Sequence, residues 1–169
     1  DIPCLNDAYI YDWLIEKQLS EVDADILVKI SRGNIHNARM LSFQSIEDIM
    51  NTIEKLTTTV IGKDPQKWRN FTSHYSRVFN ANQLDFDRQL NLIIIWLQGA
   101  NRLRQNLVSG FERTGLHSRM ISFNEKFPNA NIYKIILCIE EVKSLARQNL
   151  YMPLILLNML LDIQELIYE

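Results

Sequence analysis

Apolar positions recur at steps of three and four along this chain, and no run alternates for long enough to make a strand. The pattern is plainest in residues 131–168, which read as two helices joined by a short turn. In the first, Ile132, Ile135, Ile136, Ile139, Val142 and Leu145 draw one apolar stripe, while Lys134, Glu141 and Lys143 fall largely off it. The second opens at Pro153, whose missing N–H costs nothing in a first helical turn. From Leu154 to Leu161 it is apolar nearly all round, broken only by Asn158. Such a helix must be covered on most sides, by its own domain or by a partner.

Upstream the same period continues. Asn6 caps a first short helix carrying Ile10, Trp13 and Leu14. Ser20, with Asp23 three residues on, opens a second whose expected core face is Val22, Ile26, Leu27 and Ile30; Arg32-Gly33 stops it. A third runs from about Ile35 through Ala38, Met40 and Leu41. Ser45 then caps a helix with Ile46, Ile49, Met50, Ile53, Leu56 and Val60 inward, ended by Gly62. Asp64-Pro65 is a cap followed by proline at the first helical position, leading to Trp68, Phe71, Tyr75 and Val78. After a turn at 80–83, a long helix over 84–103 turns Leu90, Ile93, Ile94, Leu97 and Leu103 inward. Residues 106–130 are the least regular, with Phe111, Phe123 and Phe127 as expected anchors. The expectation is an all-α chain of seven or more helices.

Composition changes this picture little. A length of 169 residues, 47% apolar and 22% charged, is that of one ordinary globular domain or two small ones. A net charge of −2 gives no global attraction to nucleic acid or an anionic membrane. Residues 1–44 carry four basic and seven acidic side chains, and residues 45–169 carry fourteen and thirteen. The shift is small but agrees with the domain boundary that the pattern sets at 44/45, in the stretch from Ser42 to Ser45. The longest apolar run is far short of the ~20 residues of a spanning helix, and two cysteines, Cys4 and Cys138, make no disulfide framework. Cys138 lies mid-helix beside Leu137 and Ile139, where a buried thiol and a reducing cytoplasm are expected. The chain opens on Asp1 rather than Met, as a piece of a longer protein would.

Catalytic chemistry finds no foothold in the pattern. His36, His74 and His117 lie far apart, and none pairs with another His or Cys at metal-ligand spacing. Gly110-Phe-Glu-Arg-Thr-Gly115 lacks the Gly-Lys-Ser/Thr ending of a phosphate loop. Lys67, Arg69, Arg77, Arg102 and Arg104 are interleaved with core aromatics at helical spacing and read as a solvated face. No cofactor, metal or catalytic residue is expected.

One segment says more. Leu27-Val-Lys-Ile-Ser-Arg-Gly-Asn-Ile-His-Asn-Ala-Arg-Met-Leu41 resembles the lid helix junction of AAA+ clamp-loader subunits, where a small-residue turn leads into the helix bearing the sensor-2 residue. Ile2-Pro-Cys-Leu-Asn-Asp-Ala-Tyr-Ile10 looks like that family's entry into the lid. Leu92-Ile-Ile-Ile-Trp-Leu-Gln98 is similar to an apolar collar helix, and Asn149-x-x-x-Pro153 to the join of the last helical pair. In order and spacing, nearly the whole chain resembles the C-terminal half of bacterial DNA polymerase III delta-prime subunits. The resemblance implies a three-helix AAA+ lid at 1–44 and a helical-bundle collar, the oligomerisation domain, at 45–169. It also implies a non-catalytic, cytoplasmic role in DNA replication. The collar would pack against other loader subunits, the sliding clamp and primer-template DNA would be engaged only indirectly, and no membrane would be involved. The family's sensor-2 arginine falls at His36, which cannot grip a triphosphate as a guanidinium does; Arg39 is its neighbour on nearly the same face. Any ATPase activity would belong to the parent DNA polymerase III complex. The expected partner surface is Leu156, Met159, Ile163 and Ile167 on the last helix, with the helix at Leu92–Leu97 as a second two-sided candidate. Two alternatives stand beside this reading: an ATP-responsive motor-type loader subunit using Arg39, and an unrelated helical protein–protein adaptor.

Overall fold

The computed structural model describes residues 6–31, 33–148 and 150–168, apart from the side chain of Arg147. Residues 2–5 of the lid-entry motif, with Cys4, and the motif residues Arg32 and Asn149 fall outside that set. Among the described residues there are nine α-helices and one 3-10 turn, and no strand. The helices are α1 (Asp7–Glu16), α2 (Glu21–Ser31), α3 (Ile35–Leu41), α4 (Ile46–Ile61), α5 (Pro65–Ala81), α6 (Gln83–Arg104), α7 (Gly115–Lys126), α8 (Ile132–Leu145) and α9 (Met152–Tyr168); the 3-10 turn at Ala146–Gln148 follows α8. The chain divides into two compact units between Thr52 and Ile53, inside α4 and beyond the expected 44/45 boundary.

Short-range capping sets most helix starts. Asn6 Oδ1 accepts from Ala8 N at 3.1 Å, and Ser20 Oγ accepts from Asp23 N at 3.1 Å. Asn34, Asp64 and Asn82 each accept from two backbone N–H groups of the helices they precede. Each cap supplies an acceptor to donors that have no partner within the helix, and contributes about 1 kcal/mol. Gly33 sits at φ 75°, the left-handed stop expected after α2.

In the first unit α1, α2 and α3 pack on one another. Ile10, Leu14, Leu27, Ile30, Ala38 and Leu41 are buried as their spacing implies. Val22 and Met40 are exposed instead. Ala24 and Val28 take the inward places on α2, because Ala24, Leu27 and Val28 share a face that Val22 does not.

The second unit is built around α6. Leu92, Ile93, Ile94, Ile95, Trp96 and Leu97 are all buried, and α6 packs against α5, α7 and α8. This corrects the expectation of a free side at Leu92–Leu97: that stretch is covered all round by its own unit. Phe111, Phe123 and Phe127 are the anchors expected of the irregular stretch. Phe123 meets Trp96 edge to face at 5.4 Å, which seats α7 on α6.

Polar side chains fasten the ends of the helices over distances no local pattern reveals. Arg104, in the last turn of α6, donates to Asn124 Oδ1 at 2.8 Å, to Ala130 O at 2.6 Å and to Phe127 O. Asn124 in turn donates to Ala100 O at 2.8 Å. Burial lowers the pKa of Arg104, since its charge loses hydration. Arg104 is therefore an internal fastening and not part of a solvated basic face. The last carbonyls of α4 are capped from two sides. Trp68 Nε1 of α5 donates to Gly62 O at 2.8 Å, and Gln164 Nε2 of α9 donates to Val60 O and Ile61 O, each at 3.0 Å.

Candidate partner-binding face

Helix α9 packs against α8 and α5, and the choice of inward face is sharp. Leu156, Met159, Ile163 and Ile167 are 0%, 1%, 0% and 3% exposed. All four are core, which corrects their expected place on a partner surface. Their spacing of three and four residues is that of one stripe, and that stripe lies against α5 and α8. On the opposite side Leu154, Leu157 and Leu161 are 53%, 38% and 50% exposed, again three and four residues apart. Tyr151 precedes them and Tyr168 ends the row, both more than half exposed. The ring of Tyr168 is held in place, with Phe127 edge-on at 5.3 Å and Lys63 Nζ 3.5 Å above its centre. The all-round apolar character of α9 therefore exceeds what its own unit covers.

Helix α8 runs back along α9: Asn131 N, at its start, donates to Leu166 O, near the end of α9, at 3.0 Å. Of its expected stripe Ile132, Ile135, Ile139 and Val142 are buried and Ile136 and Leu145 half-buried, and its outer side exposes Tyr133 and Leu137. Lys143 ties α8 to α6 through Asn91 at 2.9 Å and also meets Glu140 at 2.7 Å. Cys138 is half-buried rather than buried. Its thiol is pushed up to about 11, first by burial and then by the carboxylates of Asp162 and Glu141. A thiol so placed is a poor nucleophile near neutrality.

The sensor-2-like position is open. His36 and Arg39 both lie exposed on α3, and Asn34 Oδ1 accepts from His36 N at 2.9 Å, so the backbone of His36 serves the helix start.

One cluster goes unannounced by histidine spacing. Ser109 Oγ lies 3.1 Å from His117 Nδ1 and 3.0 Å from Glu112 Oε1, and accepts from Phe111 N at 3.1 Å. Gly110 N donates to the same Glu112 oxygen at 3.0 Å. A nucleophilic triad needs the carboxylate to orient the imidazole. Here Glu112 binds the serine and the backbone, and the buried hydroxyl is fully engaged, so the cluster braces the loop before α7. Burial opposes the charge of Glu112, but hydrogen bonds from its own N–H, Gly110 and Ser109 outweigh that and hold the carboxyl down at about 2. The sequence signal that announces this brace is Ser109-x-x-Glu112, the capping-box pattern. No group of three or more His, Cys, Asp or Glu side chains among the described residues is arranged to hold a metal.

No protein-family model, curated protein or solved structure matches this chain. No helix among the described residues is long and apolar enough to cross a membrane. The feature that most needs a function is the outer row of α9.

Proposed function

We propose that this chain is a non-catalytic assembly module of the clamp-loader type, a delta-prime-like lid and collar. In this reading the outer face of α9 packs against other DNA polymerase III loader subunits in the cytoplasm, supporting sliding-clamp loading. The observation that carries it is the row Leu154, Leu157 and Leu161, which stands opposite a complete buried stripe on the same helix. An apolar row of this kind, continued by Tyr151 at one end, marks partner surfaces more often than bare solvent-facing helices. The sliding clamp and primer-template DNA are reached through the neighbouring subunits.

The test replaces Leu157 and Leu161 with Asp and reads fold and assembly separately. Circular dichroism should be unchanged, while co-purification with the cognate loader subunits should weaken by about 2 kcal/mol or more if the row is a binding hot spot. Leu156→Asp is the contrast, and it should unfold the second unit. Normal assembly by folded Leu157→Asp and Leu161→Asp proteins would overturn the reading.

A second reading, an unrelated helical adaptor, is favoured by the division of the chain inside α4, which differs from a lid ending at residue 44. It keeps the α9 face and changes the partner, so binding to loader subunits separates the two. The motor-type alternative needs Arg39 to reach a nucleotide. Calorimetric titration with Mg-ATP should show no binding, and micromolar affinity would promote that alternative.

A further inference from the structure

Helix α5 carries an excess of positive charge that its surroundings do not match. It holds Lys67, Arg69 and Arg77 in a chain of net charge −2, and from Pro65 to Ala81 it contains no Asp or Glu. Every other described helix of eight residues or more has at least one. Its inward side is Phe71, Tyr75, Ser76 and Phe79. The other side is exposed: at the helical period Gln66, Asn70, Ser73 and Arg77 form its centre, with Arg69 at one edge and Lys67 at the other. Arg77 Nε donates to Ser73 O at 3.3 Å, which lays that side chain along the outer face. Lys67 comes no nearer than 3.9 Å to Asp64, the capping carboxylate, and among the described residues Arg69 and Arg77 make no ion pair. The carboxylates of the neighbouring α6 are turned elsewhere. Asp85 meets Arg88 and Gln89, and Asp87 shares a side with Asn91, which meets Lys143 of α8.

We propose that this face of α5 binds the phosphate backbone of a nucleic-acid duplex without reading its sequence. The residue types are those of phosphate and sugar contacts: Lys and Arg for charge, Ser, Asn and Gln for hydrogen bonds. Arg69 and Arg77 stand eight residues apart, about 12 Å along the axis, so each can take a phosphate of its own. A protein partner is disfavoured, because the centre of such an interface is apolar and depleted in charge, and the exposed arc offers no apolar side chain larger than Ala81. A single strand is disfavoured too, since it needs aromatic faces on which successive bases stack. Phe71 and Tyr75 are buried, and the half-buried Trp68 spends its indole N–H on Gly62 O at 2.8 Å. His74 is the one exposed ring of α5 and stands edge-on to Tyr75. The assembly reading brings DNA to this chain only through its neighbours; the contact proposed here is direct and does not depend on that reading.

The experiment uses the full chain and three fluorescein-labelled ligands: a short DNA duplex, an RNA duplex of the same sequence and a Glu-rich helical peptide. Binding is read by fluorescence anisotropy over a range of salt. A duplex should bind more tightly than the peptide, with log K falling against log salt at a slope of about −3, as three phosphate contacts require. Binding of DNA, of RNA or of both identifies the source of the backbone. The triple variant Lys67→Gln, Arg69→Gln, Arg77→Gln should keep its circular dichroism and weaken duplex binding by about tenfold or more at low salt. Arg69→Gln alone should flatten the slope by about 1. A control variant Lys17→Gln, Lys29→Gln, Arg113→Gln removes the same charge from exposed positions elsewhere and should keep both affinity and slope. Binding of neither duplex, a peptide bound as tightly as either, or an equal loss in the two triple variants would overturn the proposal. Those results leave the assembly reading to be judged by the Leu157→Asp and Leu161→Asp co-purification.

Discussion

Replacing Arg104 with Met keeps the aliphatic stem of the side chain and removes only the guanidinium. Three acceptors then lose their donor: Asn124 Oδ1, Ala130 O and Phe127 O. Asn124 still has Ala100 O, but the two carbonyls beyond the end of α7 are left without their cation. Each keeps a backbone donor, Ala130 N on Phe127 O at 3.2 Å and Ile132 N on Ala130 O at 3.0 Å, so what is lost is a hydrogen bond to a cation, about 1.5–3 kcal/mol apiece. The guanidinium is only partly buried, and the mutant no longer has to desolvate it, so the sum is discounted for screening to a net loss of about 2–4 kcal/mol. For a chain of this size a loss near the middle of that range lowers Tm by about 6–12 °C. Urea unfolding followed by the emission of Trp68 and Trp96, the latter packed on Phe123 of α7, reads the affected unit; a Trp13→Phe background removes the tryptophan of the first unit. Arg104→Lys keeps the charge but not the fork, and should recover no more than about half of the loss. A Met variant within about 0.5 kcal/mol of wild type, or a Lys variant equal to it, would refute the fastening role assigned to Arg104.

Two further predictions rest on the same kind of contact. Gln164→Met should cost about 1–2 kcal/mol, because Val60 O and Ile61 O lose their donor, while the buried Oε1 that has no partner among the described residues is removed as well. Trp68→Phe removes the other cap, and urea denaturation of the double variant should depart from additivity by more than about 0.5 kcal/mol, since the two caps close the same helix end; strict additivity would mean they act independently. Glu112 is held at about 2 against an ordinary 4.5, so its contribution is complete above the ordinary value, fades as pH falls toward 2 and is absent below. An NMR titration of its carboxyl carbon should show that depressed midpoint, and a midpoint near 4.5 would contradict the brace around Ser109.

What could be read from the sequence was what depends on neighbours a few residues away. Asn6, Ser20, Ser45 and Asp64 cap their helices as their positions implied, because a cap reaches only two or three residues along the chain. The stripes of α4 and α8 were legible for a related reason: polar residues on their far sides leave one choice of inward face. On α9 both faces are apolar, so periodicity had no means of choosing between Leu156 with Met159 and Leu157 with Leu161. Burial against α5 and α8 made the choice. Val22 and Met40 failed likewise, as apolar residues at the margin of a stripe that a small alanine completes better. The Arg104 and Gln164 fastenings span 20 residues or more and leave no local trace.

The burial of Leu92–Leu97 on every side has a consequence for the chain before it is folded. Leu-Ile-Ile-Ile-Trp-Leu at 92–97 has no charge, no proline and no glycine, and three adjacent β-branched residues. Out of its helix, that hexapeptide has the composition of a cross-β zipper, with a side chain for each dry face and nothing to break the stack. What keeps it harmless is enclosure by α5, α7 and α8, and two of those three helices follow it in the chain. A polypeptide ending near residue 105 would keep α5 alone of the three against this segment, and would be expected to deposit as fibrils rather than stay as a shortened bundle.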